Sequence, residues 1–168
     1  MGYIILYKSD GSKFGRLIEK RQFKEGYTPE HASYTHSEVS GGGRHSINIA
    51  PPRSRLIDII KVHKGRYARI MRYKNEEYER KGRYKVAYFS ASLANKGYDI
   101  RGVLSFIIKW IKQNNRLFFC SEGVAWSLQM EFPKALTGAD PSSISPAAFC
   151  NPAEFEIVWE GIIKEGEE

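Results

Sequence analysis

The chain has 168 residues, 42% of them hydrophobic, which is enough for one domain with a real core and too few for two. Its two cysteines, Cys120 and Cys150, exclude a disulfide framework, and the longest apolar run, Val103 to Ile108, breaks at Lys109, far short of a membrane span. The net charge of +7 lies largely between Arg53 and Arg83, a face suited to an anionic surface or polymer. It lacks the glycine and aromatic interleaving, or the helix motif, of a nucleic-acid module. No apolar leader precedes Tyr3, and Leu6 stands where a myristoylation signal needs Ser or Thr. The expected location is cytoplasmic or phage-associated, with no signal peptide and no transmembrane segment.

Taken in chain order, Tyr3 to Tyr7 is a β-branched run stopped by Ser9-Asp-Gly11, a strand and a turn. Ser12 caps a helix reaching Arg21, with Phe14, Leu17 and Ile18 on one face. A loop with Gly26 and Pro29 leads to a strand over 32–40. Gly41-Gly-Gly43 turns the chain into a returning strand over 44–50, and Pro51-Pro52 ends it. Two more strands are predicted over 56–62 and 66–73. Asn75 caps a long helix over 76–93 that contains Gly82. A helix over 99–113 carries Ile100, Val103, Leu104, Ile107 and Ile111 at helical spacing. The next helix opens at Cys120, Ser145-Pro146 starts a short turn, and 154–159 alternates as a final strand before an acidic tail. The fold class is therefore α+β, a single domain with helices segregated against an antiparallel sheet.

Phe118-Phe-Cys-Ser-Glu122 places a thiol on the first turn of a helix, where unpaired N–H groups and the helix dipole favour thiolate. The proton then needs an imidazole, and His36 on the strand over 32–40 is the best placed of four. With the turn centred on Gly42, His36 faces Asn48 and Glu38 faces Ser46 across the hairpin. Asn48 can orient the imidazole without charge, and Glu38, two residues along on the same face, is the competing orienter. His45 points to the opposite face, His31 and His63 lie in polar surroundings, and Cys150 reads as structural. No pair among these residues has zinc-ligand spacing, so no metal and no cofactor is expected. Tyr34 or Gln22 could add a side-chain donor, and Glu122 suits the helix dipole better than catalysis.

At these residues the chain resembles the circularly permuted papain-like hydrolases of the NlpC superfamily, including lecithin:retinol acyltransferase-like and YiiX-type members. Four pieces carry the resemblance: Phe14 to Ile18, Thr35-His-Ser-Glu-Val39, Tyr98 to Phe106, and Phe118 to Glu122. It spans about residues 12 to 150 and looks most like phage or prophage members. It implies a permuted papain-like fold, Cys120 as nucleophile and His36 as base. The third polar residue of that group falls on Asn48, where Glu or His is common.

The expected activity is thiol hydrolysis of an amide bond, in cell-wall peptide, through a Cys120 thioester. One alternative is a lipid or ester acyl hydrolase or acyltransferase, its basic face held on an anionic membrane. Another is a non-catalytic phage structural or binding protein.

Overall fold

A computed structural model describes residues 1–99 and 118–165. Strand β1 (Ile4–Lys8) is followed by helix α1 (Lys13–Lys24), the short helix α2 (Pro29–Ala32), and strands β2 (Tyr34–Gly42), β3 (His45–Asn48) and β4 (Arg55–Asp58). Helix α3 (Ile59–His63) and strand β5 (Tyr67–Tyr73) come next. A π-helical turn (Tyr78–Gly82) then runs into α4 (Arg83–Ser92). Beyond residue 117 lie helix α5 (Cys120–Glu131), three short 3-10 turns and strand β6 (Phe155–Ile162). The six strands form one antiparallel sheet in the order β4-β3-β2-β1-β5-β6, so the protein is α+β. Of the helix predicted over 99–113, all but Asp99 lies outside the described residues, as do three residues of the acidic tail. Among the described residues no helix is long and apolar enough to cross a membrane.

Strand alternation gives the sheet two unlike faces. Ile4, Leu6, Val39 and Met71 point to one side and pack on Val124, Ala125 and Leu128 of α5, with Phe149 and Phe155 closing the core. Burying a side chain of this kind contributes about 1.5–3 kcal/mol. Ile5, Tyr7 and Ala68 point to the other side and meet Ile163 and the partly buried Ile59 and Ile60. The pairings Ile5–Glu38 and Tyr7–His36 put Glu38 and His36 on this second face.

Three elements differ from their sequence expectation. The loop before β2 contains α2, whose first turn Thr28 caps through the His31 N–H, with Pro29 at the first helical position. The run predicted as one strand over 56–62 breaks at Asp58, whose carboxylate accepts the N–H groups of Ile60 and Lys61 at 3.0 and 3.2 Å and starts α3. The helix predicted over 76–93 opens with the π-turn, and Gly82 ends that turn where the Phe132 ring comes in. A Cβ there would lie 2.2 Å from the ring.

Gln22 shows how tightly the front of the molecule is tied. Its Nε2 donates to the carbonyls of Ala32 and Tyr34 at 2.8 and 2.9 Å, and its Oε1 accepts the N–H of Ala147 at 2.8 Å. The side chain is fully buried and committed to the scaffold, so it is not the donor to substrate that the sequence allowed. Gln22→Ala leaves three buried backbone groups unpaired, and chemical denaturation is expected to show a loss of about 2–4 kcal/mol.

Candidate active site

Helix α5 begins abruptly. Phe119 is extended, and the Glu122 carboxylate reaches back to accept its N–H at 3.2 Å, which fixes Cys120 as the first helical residue. The Ser121 hydroxyl donates to the Ile144 carbonyl at 2.7 Å and anchors that turn. Gly123 lets the end of the β3 segment press against the helix, since a Cβ there would lie 2.2 Å from Ile49 Cδ1.

The β2–β3 ladder runs only from Val39 to Gly42, leaving the first half of β2 without β3 on that side. Cys120 fills this opening. Its sulfur accepts the N–H of Ser37 and that of Ser121, and it hydrogen-bonds with the His36 imidazole. Burial pushes the Cys120 thiol pKa up. The His36 hydrogen bond and charge, with the two backbone N–H groups, outweigh that and bring it below the ordinary thiol value. Burial likewise presses His36 down, but its bonds to Cys120 and Glu38 hold it well above an ordinary imidazole.

Glu38 is the hub beneath this pair, with no exposed side-chain surface. Its Oε1 lies 3.1 Å from His36 Nε2 and 2.8 Å from His63 Nε2. Its Oε2 accepts the hydroxyls of Tyr7 at 3.0 Å and Ser46 at 2.5 Å. A carboxylate offers about four lone-pair sites, and all are used. Burial alone would raise the Glu38 pKa. The hydrogen bonds and charges of the two histidines instead keep it far below the usual carboxylate range. With Nε2 of His36 committed to this anion, Nδ1 is the nitrogen left for the thiol.

His63 is the residue that sequence reasoning passed over. It is 4% exposed, at the end of α3, and stacks at 4.1 Å on the Tyr7 ring. The Arg66 guanidinium stands 3.5 Å from its Nδ1, and its Nε2 donates to Glu38 Oε1 at 2.8 Å. Asp58 carried the missed signal: an N-cap residue seven positions before Gly65 marks a short helix, not a strand.

The hairpin register corrects the predicted pairing. The turn is Gly43-Arg44, one residue later than expected, and Ser40 rather than Glu38 stands opposite Ser46. The two-residue slip keeps Ser46, Asn48 and Glu38 on one face but takes Asn48 away from His36, which pairs with Tyr7 of β1 instead. Asn48 therefore does not orient the imidazole; Glu38 does. Asn48 is 4% exposed and lines the cleft with Cys120, and its Oδ1 has no hydrogen-bond partner among the described residues.

That cleft encloses about 240 Å³ and exposes Cys120 and His36 between Phe14 and Ile18 of α1, Tyr98, and Arg66. His31 and His45 do not line it. Cys150 is buried elsewhere, its thiol pushed up to about 11 by burial, as befits a structural cysteine. His36, Glu38 and His63 bring three potential metal-ligand atoms within 4.8 Å, a grouping their sequence spacing did not announce. Both imidazole nitrogens, however, converge on one carboxylate oxygen, and Tyr7 and Ser46 occupy the other. A cation there would displace these bonds rather than complete them. Compared with known proteins, the chain matches no family model and no curated protein.

Proposed function

We propose that the protein is a cysteine hydrolase of acyl compounds, with Cys120 as nucleophile, His36 as acid and base, and Glu38 as the residue that orients and charges His36. One observation carries this reading. Cys120 and His36 hydrogen-bond at a cleft wall, and a saturated, buried carboxylate backs the imidazole. The thiolate attacks the carbonyl carbon, and the oxygen takes the negative charge beside the Cys120 N–H, which has no intrahelical acceptor on the first turn. Collapse of this intermediate breaks the bond to the leaving group, and His36 hands it the proton. The thioester is then attacked by water, which His36 deprotonates, releasing the acid and restoring the thiol.

The order of the histidine strand before the cysteine helix supports a permuted papain-like arrangement, with amide bonds, cell-wall peptide among them, as the first substrates to try. Lipid esters and acyl transfer on an anionic membrane remain within the same chemistry. The test is release of new amines from peptide substrates, or of fatty acid from lipid esters. Activity should be lost by at least about 1,000-fold in Cys120→Ala and be unaffected by EDTA. Turnover that survives Cys120→Ala, or that EDTA abolishes, would sink the thiol mechanism. In the second case His36, Glu38 and His63 would be read as metal ligands.

A further inference from the structure

The basic run over 53–83 is in part spent inside the protein. Lys64, Arg69, Arg72, Arg80 and Arg83 are each ion-paired with a glutamate. Helix α1 is the opposite case. Lys13, Arg16, Lys20 and Lys24 recur at helical spacing on one face, all exposed, and among the described residues none of the four has an ion-pair partner. Gly15, Ile18 and Gln22 form the buried side. The helix's one acid, Glu19, is half-buried, and its fifth cation, Arg21, is taken by Glu25.

This arrangement works against folding. Lys13 opens a first turn that holds no acid, where the helix dipole disfavours a cation. Arg16, Lys20 and Lys24 follow one another at i,i+4, where like charges repel. Leu17 and Phe23, 45% and 57% exposed, leave apolar surface in water among these charges. A nucleic acid or a soluble polyanion would satisfy the cations but not those two side chains. A bilayer with anionic headgroups satisfies both: the headgroups meet the cations, and Leu17 and Phe23 enter the acyl boundary beneath them.

We propose that the exposed face of α1 docks the protein on an anionic lipid bilayer. Phe14 and Ile18 of the same helix wall the Cys120 cleft, so docking brings the cleft to the membrane surface. Binding of this kind is independent of the chemistry at Cys120 and is read without turnover.

The full chain is sedimented at physiological salt with vesicles of phosphatidylcholine alone and of phosphatidylcholine mixed with phosphatidylglycerol. Each cation near an anionic surface contributes roughly fivefold, so the mixed vesicles should bind at least about 50-fold more tightly. Lys20→Glu should weaken that binding at least about tenfold while Tm stays at or above the parent's, because the new carboxylate lies one turn from both Arg16 and Lys24. Lys81→Glu reverses an exposed cation of the 53–83 run and should change binding by less than about threefold. Phe23→Ser should weaken vesicle binding about tenfold and leave binding to soluble polyphosphate unchanged. Equal binding to both vesicles, or a Lys20→Glu loss no larger than that of Lys81→Glu, overturns the proposal. So does a Phe23→Ser variant that binds vesicles as the parent does, which would make a soluble polyanion the partner.

Discussion

Replacing Glu38 by glutamine is expected to remove most of the thiol's reactivity and a large part of the protein's stability in one step. The carboxylate accepts from His36, His63, Tyr7 and Ser46 at once. Glutamine offers one oxygen and turns an NH2 either toward the imidazole N–H groups or toward the Tyr7 and Ser46 hydroxyls, whose protons must then point elsewhere. Removing one partner from a buried charged network costs about 3–5 kcal/mol. For a chain of this size that lowers Tm by roughly 6–20 °C, which a melting curve would read directly. Without the anion His36 loses its support as a cation, so the Cys120 pKa rises and labelling at pH 6 should fall about tenfold or more. The pH dependence has a definite sign. The folded Glu38 pKa is depressed, so its stabilisation is full above the unfolded value of about 4.3 and is lost as pH falls through the folded value. Acid should therefore erode the parent protein more steeply than Glu38→Gln. Equal acid slopes, or a variant that labels as fast as the parent, would contradict Glu38 as the hub.

The second large effect concerns His36. An ordinary thiol with a pKa of about 8.5 is only about 0.3% thiolate at pH 6. Cys120 is held below its ordinary value by His36 and two backbone N–H groups. Iodoacetamide should therefore label Cys120 at pH 5–6, where Cys150 stays silent because burial holds its thiol up near 11. In His36→Ala the burial of Cys120 is no longer opposed by an imidazolium, and labelling at pH 6 should drop by at least about 30-fold, recovering only as pH rises above 8. Labelling of the parent that follows an ordinary thiol and ignores His36 would leave Cys120 a packing residue.

How much of this was legible depends on how local the signal is. The capped start of α1 at Ser12, the alternation that puts His36 and Glu38 on one face, and the thiol opening α5 are set by neighbours a few residues apart. Both competing orienters of His36 were in view from the sequence. Choosing between them required the hairpin register, which a one-residue displacement of the Gly43-Arg44 turn changes by two. His63 escaped because an Ile-Ile run reads as strand unless the Asp58 cap is given weight. Its contact with Glu38, 25 residues away, has no local trace.

The strand order has a kinetic consequence. Strand β1 is central, between β2 and β5, and the edge strand β6 pairs with β5 from more than 80 residues further along the chain. Sheets assembled from such non-local pairs close slowly, in milliseconds to seconds. Until β2 is seated against the start of α5, Cys120 lacks the Ser37 N–H and the His36 imidazole, and with an ordinary thiol pKa of about 8.5 it is mostly protonated at neutral pH. The nucleophile is thus created by the docking of β2 on α5 rather than carried by the unfolded chain. A newly made chain stays chemically quiet while its core is still exposed, and its thiol becomes a built-in clock for the arrival of the native state.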